Sequence, residues 1–113
     1  MTEPPEPPVE EVDVREAAAG LAAEAGAVLI DLREDFEWPA GHAEGARHVP
    51  LNQLPAHLDE LPRAVPAYLI CATGNRSRTA ARFLRQQGFE RPGNVRGGTV
   101  AWQRAGLPLS RAD

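Results

Sequence analysis

Lysine is missing from this sequence: all 12 cationic side chains are arginine. A lysine Schiff base and a P-loop lysine are thereby excluded. Cysteine occurs once, as Cys71, so no internal disulfide can form, and a lone thiol suits a reducing compartment. No apolar run approaches the roughly 20 residues needed to cross a bilayer. The N-terminus has no basic segment followed by an apolar one, so no secretory signal is expected and the cytoplasm is the default address. His42, His48 and His57 show no metal-ligand spacing with one another or with Cys71, and no metal is expected.

What is present fits one soluble domain. The chain has 113 residues, 42% hydrophobic and 25% charged, enough for a single modest core. Its net charge of −4 hides a division. Residues 1–16 carry six acids and one arginine, and residues 17–60 carry eight acids and two arginines. Residues 61–113 carry two acids and nine arginines. A positive C-terminal half that contains the cysteine favours an anionic substrate there, unless its arginines form a solvated helix face.

Residues 1–8, with four prolines and two glutamates, read as a disordered acidic tail. Residues 9–109 form the domain, and 110–113 a C-terminal tail. Residues 9–12 suit a short edge strand. Asp13 and Glu16 make a capping pattern for an alanine-rich helix that runs to Ala25, with Gly20 its weak position. The bounded apolar runs 27–32 and 67–71 suit buried parallel strands. Between them come a helical turn at 35–40, a brief strand at 47–49 and a weakly helical stretch at 53–61. A patterned helix follows at 77–87, then a short strand at 94–96, a Gly97-Gly98 turn and a helix at 99–105. Alternating strands and helices predict an α/β domain, a small mainly parallel sheet flanked by helices on both faces.

Cys71 falls where a buried strand ends and a loop leads into a helix, the end of a parallel sheet at which ligands bind. Backbone N–H groups at such a turn can form an anion nest, reinforced by the helix dipole, and both favour the thiolate. Arg76 adds positive charge at the flank, and Ser77 offers a hydroxyl that could cap the helix or bond the sulfur. The same pattern also fits an inert core cysteine followed by an ordinary capped helix. Local pattern leaves the two readings open.

Asp31-Leu32-Arg33, Glu37-Trp38, residues 41–46 (Gly-His-Ala-Glu-Gly-Ala) and Val49-Pro50 together resemble the N-terminal signature of the rhodanese-like family. Residues 71–77, Cys71-Ala72-Thr73-Gly74-Asn75-Arg76-Ser77, resemble its active-site loop. Gly97-Gly98, Ala101-Trp102 and Gly106-Leu107-Pro108 resemble its C-terminal signature. The pieces arrive in order over about residues 9–109.

The resemblance implies a sulfurtransferase that works by covalent, ping-pong catalysis with neither metal nor organic cofactor. Cys71 would take the outer sulfur of thiosulfate or another sulfane donor as a persulfide. Ala72, Thr73, Gly74, Asn75, Arg76 and Ser77 would hold it, and a thiophilic acceptor, cyanide or a small-molecule or protein thiol, would remove it. With no second cysteine, discharge must come from outside the chain. Four residues separate Cys71 from Arg76, the rhodanese spacing; the related phosphatases have one more. Family members often place a basic residue directly after the cysteine, where this chain has Ala72, which weakens the case for thiosulfate. Arg33, Arg76 and Arg78 are candidates to compensate, with Arg33 also a candidate substrate contact beyond a bracing role with Asp31. His42 is expected to be a structural hydrogen-bonding residue, and Trp38 and Trp102 are expected in the core. The arginines of 76–96 lack interleaved aromatics, so no nucleic-acid partner is expected; nor is a membrane partner, and a monomer is the default. The rival reading is a non-catalytic rhodanese-like interaction or regulatory module, for which the acidic Pro-rich tail is the one positive sign.

Overall fold

The computed structural model describes residues 9–111; the tail at 1–8 and residues 112–113 lie outside them. Five parallel strands form the central sheet: β1 (Glu10–Val12), β2 (Val28–Asp31), β4 (Arg47–His48), β5 (Ala67–Ile70) and β6 (Pro92–Val95). Their order is β1-β6-β5-β2-β4, with β1 at one edge. Three helices connect them, α1 (Val14–Ala23), α2 (Asn75–Gln86) and α3 (Gly98–Arg104), together with 3-10 segments at Trp38–Ala40 and Leu51–Glu60. A small antiparallel pair, β3 (His42–Ala43) and β7 (Leu109–Ser110), stands apart. Ser110, placed by the sequence reading in a tail, pairs there with His42.

The pleat of β5 sorts the core into two layers. Ala67 and Leu69 face Ala80, Ala81 and Leu84 of α2 and Leu54 of the 3-10 segment. Tyr68 and Ile70 face Ala17 of α1 and Trp102 of α3. Successive strand side chains point to opposite faces, and every residue of β5 is buried, so the strand is apolar throughout. The result is a parallel sheet with helices on both faces.

The capping pattern at α1 is present in full: the Asp13 carboxylate accepts from the Glu16 N–H at 2.8 Å, and Glu16 accepts from the Asp13 N–H at 3.1 Å. Such a box satisfies two otherwise orphaned donors. Gly20, the weak position of this helix, has a spatial reason. A Cβ there would collide with the Tyr68 hydroxyl.

Candidate active site

Cys71 follows the last residue of β5 and is 1% exposed. Gly74, at φ +108°, is the N-cap of α2, a left-handed conformation that costs glycine little. The helix therefore begins at Asn75, two residues before the start expected at Ser77. Ser77 is consequently not the cap but a buried residue of the first turn. The tight turn brings backbone donors onto the sulfur: the Gly74 N–H reaches Sγ at 3.2 Å and the Ser77 N–H at 3.4 Å. The Ser77 hydroxyl lies 3.3 Å from Sγ.

Burial pushes the Cys71 thiol up. Against it act hydrogen bonds at the sulfur from Ser77 and from the N–H groups of Gly74 and Thr73, and the balance lies below the ordinary thiol value. Hydrogen bonds to the charged form are one of the three ways a protein shifts a pKa. The sulfur is lined by polar donors and not by apolar side chains alone.

The floor of the cradle is set by α3. The Thr99 N–H donates to the Cys71 carbonyl at 2.8 Å and the Val100 N–H to the Ala72 carbonyl at 3.2 Å. Gly98, at φ +58°, makes this approach possible, since a Cβ would run into both carbonyl oxygens. Gly97-Gly98 is thus the start of α3 as well as a turn. Thr73 opens onto a groove of about 500 Å³ lined by Gly97, Val100, Ala101, Arg104 and Ala105.

The charged residues proposed from sequence are each paired with a carboxylate. Arg33 is buried, donating through Nε and Nη2 to Asp31 and through Nη2 to the Gly41 carbonyl at 2.8 Å. It braces the segment before β3 and makes no hydrogen bond to residues 71–77. Arg76 is held by Glu37, Nη1–Oε1 2.7 Å and Nη2–Oε2 3.1 Å. Arg78 donates to Glu11 through Nε at 2.9 Å. Each of the three arginines that could replace a basic residue at position 72 already has a carboxylate partner. Asn75 and Ala72 contribute backbone only, as the first residue of α2 and the carbonyl that receives Val100.

Trp38 departs from expectation. It is half-buried and outside both core layers, stacked on His42 at 3.4 Å and on His48 at 4.7 Å between ring centroids. His42 Nδ1 sits 3.0 Å from the Trp38 carbonyl; a carbonyl only accepts, so that nitrogen carries the proton. This is the structural role expected of His42. Trp102 is buried in the core beneath α3, its Nε1–H donating to the Pro108 carbonyl at 2.8 Å.

Two residues of the site went unrecognised in the sequence. The Ser77 hydroxyl donates to Oδ1 of Asn94 on β6, and Asn94 Nδ2–H donates to Oε1 of Glu11 on β1 at 2.9 Å. Asn94 is completely buried in the four-residue strand Pro92–Val95. A polar residue inside so short a buried strand needs partners, which was the available signal. Glu11, one of two adjacent glutamates at a sheet edge, offered none. Among the described residues no group of three His, Cys, Asp or Glu side chains could hold a metal ion. No helix there is long and apolar enough to cross a membrane.

Known proteins resemble this chain in sequence and fold. A family model described as Rhodanese-like domain matches residues 12–105. A sulfurtransferase of Allochromatium vinosum is 35% identical over 101 residues, covering 89% of this chain and 94% of that protein. Thiosulfate sulfurtransferase GlpE of Actinobacillus pleuropneumoniae serotype 3 is 38% identical over 87 residues, covering 77% of this chain and 81% of the relative. The crystal structure of a rhodanese-like domain protein from Staphylococcus aureus matches with a TM-score of 0.80 at 25% identity, covering 93% of this chain and 100% of that one.

Proposed function

The chain belongs to the rhodanese-like domain family, and from that premise we propose a sulfurtransferase that carries sulfane sulfur as a persulfide on Cys71, from a sulfane donor to cyanide or a thiol. The observation that carries this reading is the pair of N–H groups, from Gly74 and Ser77, aimed at Sγ at the end of β5. They stabilise a thiolate, which is the nucleophilic form. A docking module has no use for such donors.

With thiosulfate, the thiolate attacks the outer sulfur; a new S–S bond forms, and the old sulfur–sulfur bond breaks with its electron pair leaving on sulfite. The persulfide then has its outer sulfur removed by the acceptor, as thiocyanate or as a new persulfide, and the Cys71 thiolate is restored. No oxidant or reductant enters. Because Cys71 is 1% exposed, the donor must present its sulfur as a slender terminal atom, which sulfane compounds do. A solitary free thiol of this kind suits a reducing compartment such as the cytoplasm.

Charge bears on the donor. Arg33, Arg76 and Arg78 are each paired with a carboxylate, and position 72 is alanine. Thiosulfate, a dianion, gains little from cations already neutralised. A persulfide of a small thiol, with one charge at most on its reacting group, is the better-matched donor. Turnover to cyanide with thiosulfate and with glutathione persulfide tests this, beside Cys71→Ser. Higher kcat/KM for the persulfide and no turnover in the variant are expected. Turnover that survives in Cys71→Ser, or none from either donor, overturns the assignment.

A further inference from the structure

A chain of buried polar groups runs from the reactive sulfur to the sheet edge. Its links are Cys71 Sγ, the Ser77 hydroxyl at 3.3 Å, the Asn94 amide, and the Glu11 carboxylate 2.9 Å from Asn94 Nδ2. Cys71, Ser77 and Asn94 are buried, and Glu11 stands opposite Asn94 in the β1–β6 register.

The protons in this chain can be counted. An ionised carboxylate only accepts, so Asn94 must turn its NH2 toward Glu11. Its carbonyl oxygen then faces Ser77, and a carbonyl cannot donate. The single Ser77 proton is therefore committed to Asn94, and the hydroxyl shows Sγ only lone pairs. A thiol can donate into them; a thiolate meets them unfavourably. For Ser77 to donate to the sulfur, Asn94 must flip, and its oxygen would then oppose the Glu11 carboxylate.

We propose that Glu11 is a positioning residue of the sulfur site, its negative charge fixing Asn94, aiming the Ser77 hydroxyl away from Cys71, and leaving the thiolate without that hydroxyl as a donor. Glu11 thereby limits how much thiolate the site holds at rest. The role is a fixed bias and not a switch. Burial raises the Glu11 carboxyl, but Arg78 and Asn94 outweigh it and hold it below the ordinary value, so it remains charged at neutral pH. The charged groups around Glu11 are Arg78 from α2 and Arg96 after β6. Those acting with Cys71 are Arg76 and Arg78. The proposal rests on Cys71 being the reactive thiol, but its test reads ionisation and not turnover, so the two can fail separately.

The test is the pH dependence of Cys71 alkylation by iodoacetamide in wild type, Glu11→Gln, Ser77→Ala and the double variant, with folding checked by circular dichroism. Glu11→Gln frees Asn94 and should lower the midpoint by about one unit, roughly tenfold in thiolate below it. In the Ser77→Ala background the same change should move the midpoint by no more than about 0.3 unit, since contact through a shared partner makes the two effects non-additive. An equal shift in both backgrounds would mean charge acting through space and would overturn the relay, as would no shift in folded Glu11→Gln. Should the Glu11 variants fail to fold, Ser77→Ala decides alone. A midpoint at or below the wild-type value supports the committed proton, and a rise of about one unit shows a hydroxyl that donated to sulfur and sinks the proposal.

Discussion

Glu37 grips Arg76 with both carboxylate oxygens, at 2.7 and 3.1 Å, across 39 positions of sequence. The pair belongs to a wider pattern. Arg78, Arg91 and Arg96 face Glu11, Glu24 and Glu16. The acidic first half of the chain thus neutralises much of the basic second half once folded. The positive field suggested by the sequence is largely cancelled where it borders the cysteine.

The Glu37 carboxyl is held at about 2, chiefly by its hydrogen bond from Arg76 against some opposing burial. A folded value below the unfolded one stabilises the fold above the unfolded value, and that stabilisation is lost as pH falls toward the folded one. Glu37→Gln should therefore lower stability at pH 7 by about 1 kcal/mol, a figure reduced for the water that reaches both partners. The difference from wild type should shrink between about pH 4.5 and pH 2. Urea titrations across that range measure it. A deficit that persists unchanged at pH 2 would contradict the ion-pair account.

Ala72→Lys restores a basic residue beside the cysteine. With Arg76 and Arg78 already paired, it should supply an uncommitted cation beside the cysteine and raise kcat/KM for thiosulfate by about tenfold at low salt, less at high salt. The rate with a small persulfide should change far less. Equal gains for both donors would show that charge is not what separates them.

Gly98→Ala places a methyl group against the carbonyls of Cys71 and Ala72 at a φ of +58°. The strained backbone and the clash together should cost about 2 kcal/mol or more. Because Thr99 and Val100 hold those same carbonyls, sulfur transfer should fall even under conditions where the protein stays folded. Chemical denaturation and turnover, measured in parallel, check both parts.

Gly20→Ala sets propensity against packing. In an open helix the change would gain about 1 kcal/mol. Here the new methyl meets the Tyr68 hydroxyl, and Tyr68 is buried, so the melting temperature should fall. Adding Tyr68→Phe should restore part of the loss. A rise in the single variant would show that the ring moves aside freely.

Where the sequence was readable, a local rule carried the information. The Asp13–Glu16 box, the apolar runs 27–32 and 67–71, and the periodic apolar side of α2 depend on neighbours within a few residues. The cysteine stood at a strand end, and the ordered motifs pointed to the family. What escaped was non-local or too short to show a period. Two-residue strands β3 and β7 carry no alternation, and α2 began early because Gly74, not Ser77, adopts the capping conformation. Trp38 left the core for two histidines that no spacing rule connects to it. The carboxylates that occupy Arg76 and Arg78 lie 39 and 67 positions away, and composition gave no means of pairing them.

The central claim is that Cys71 itself carries the transferred sulfur. Intact-protein mass spectrometry after incubation with thiosulfate or glutathione persulfide, with and without a cyanide chase and beside Cys71→Ser, tests it directly. The account predicts the gain of one sulfur atom in wild type, its removal by cyanide, and no gain in the variant. An unmodified wild-type mass with both donors, or the same adduct on Cys71→Ser, would contradict it.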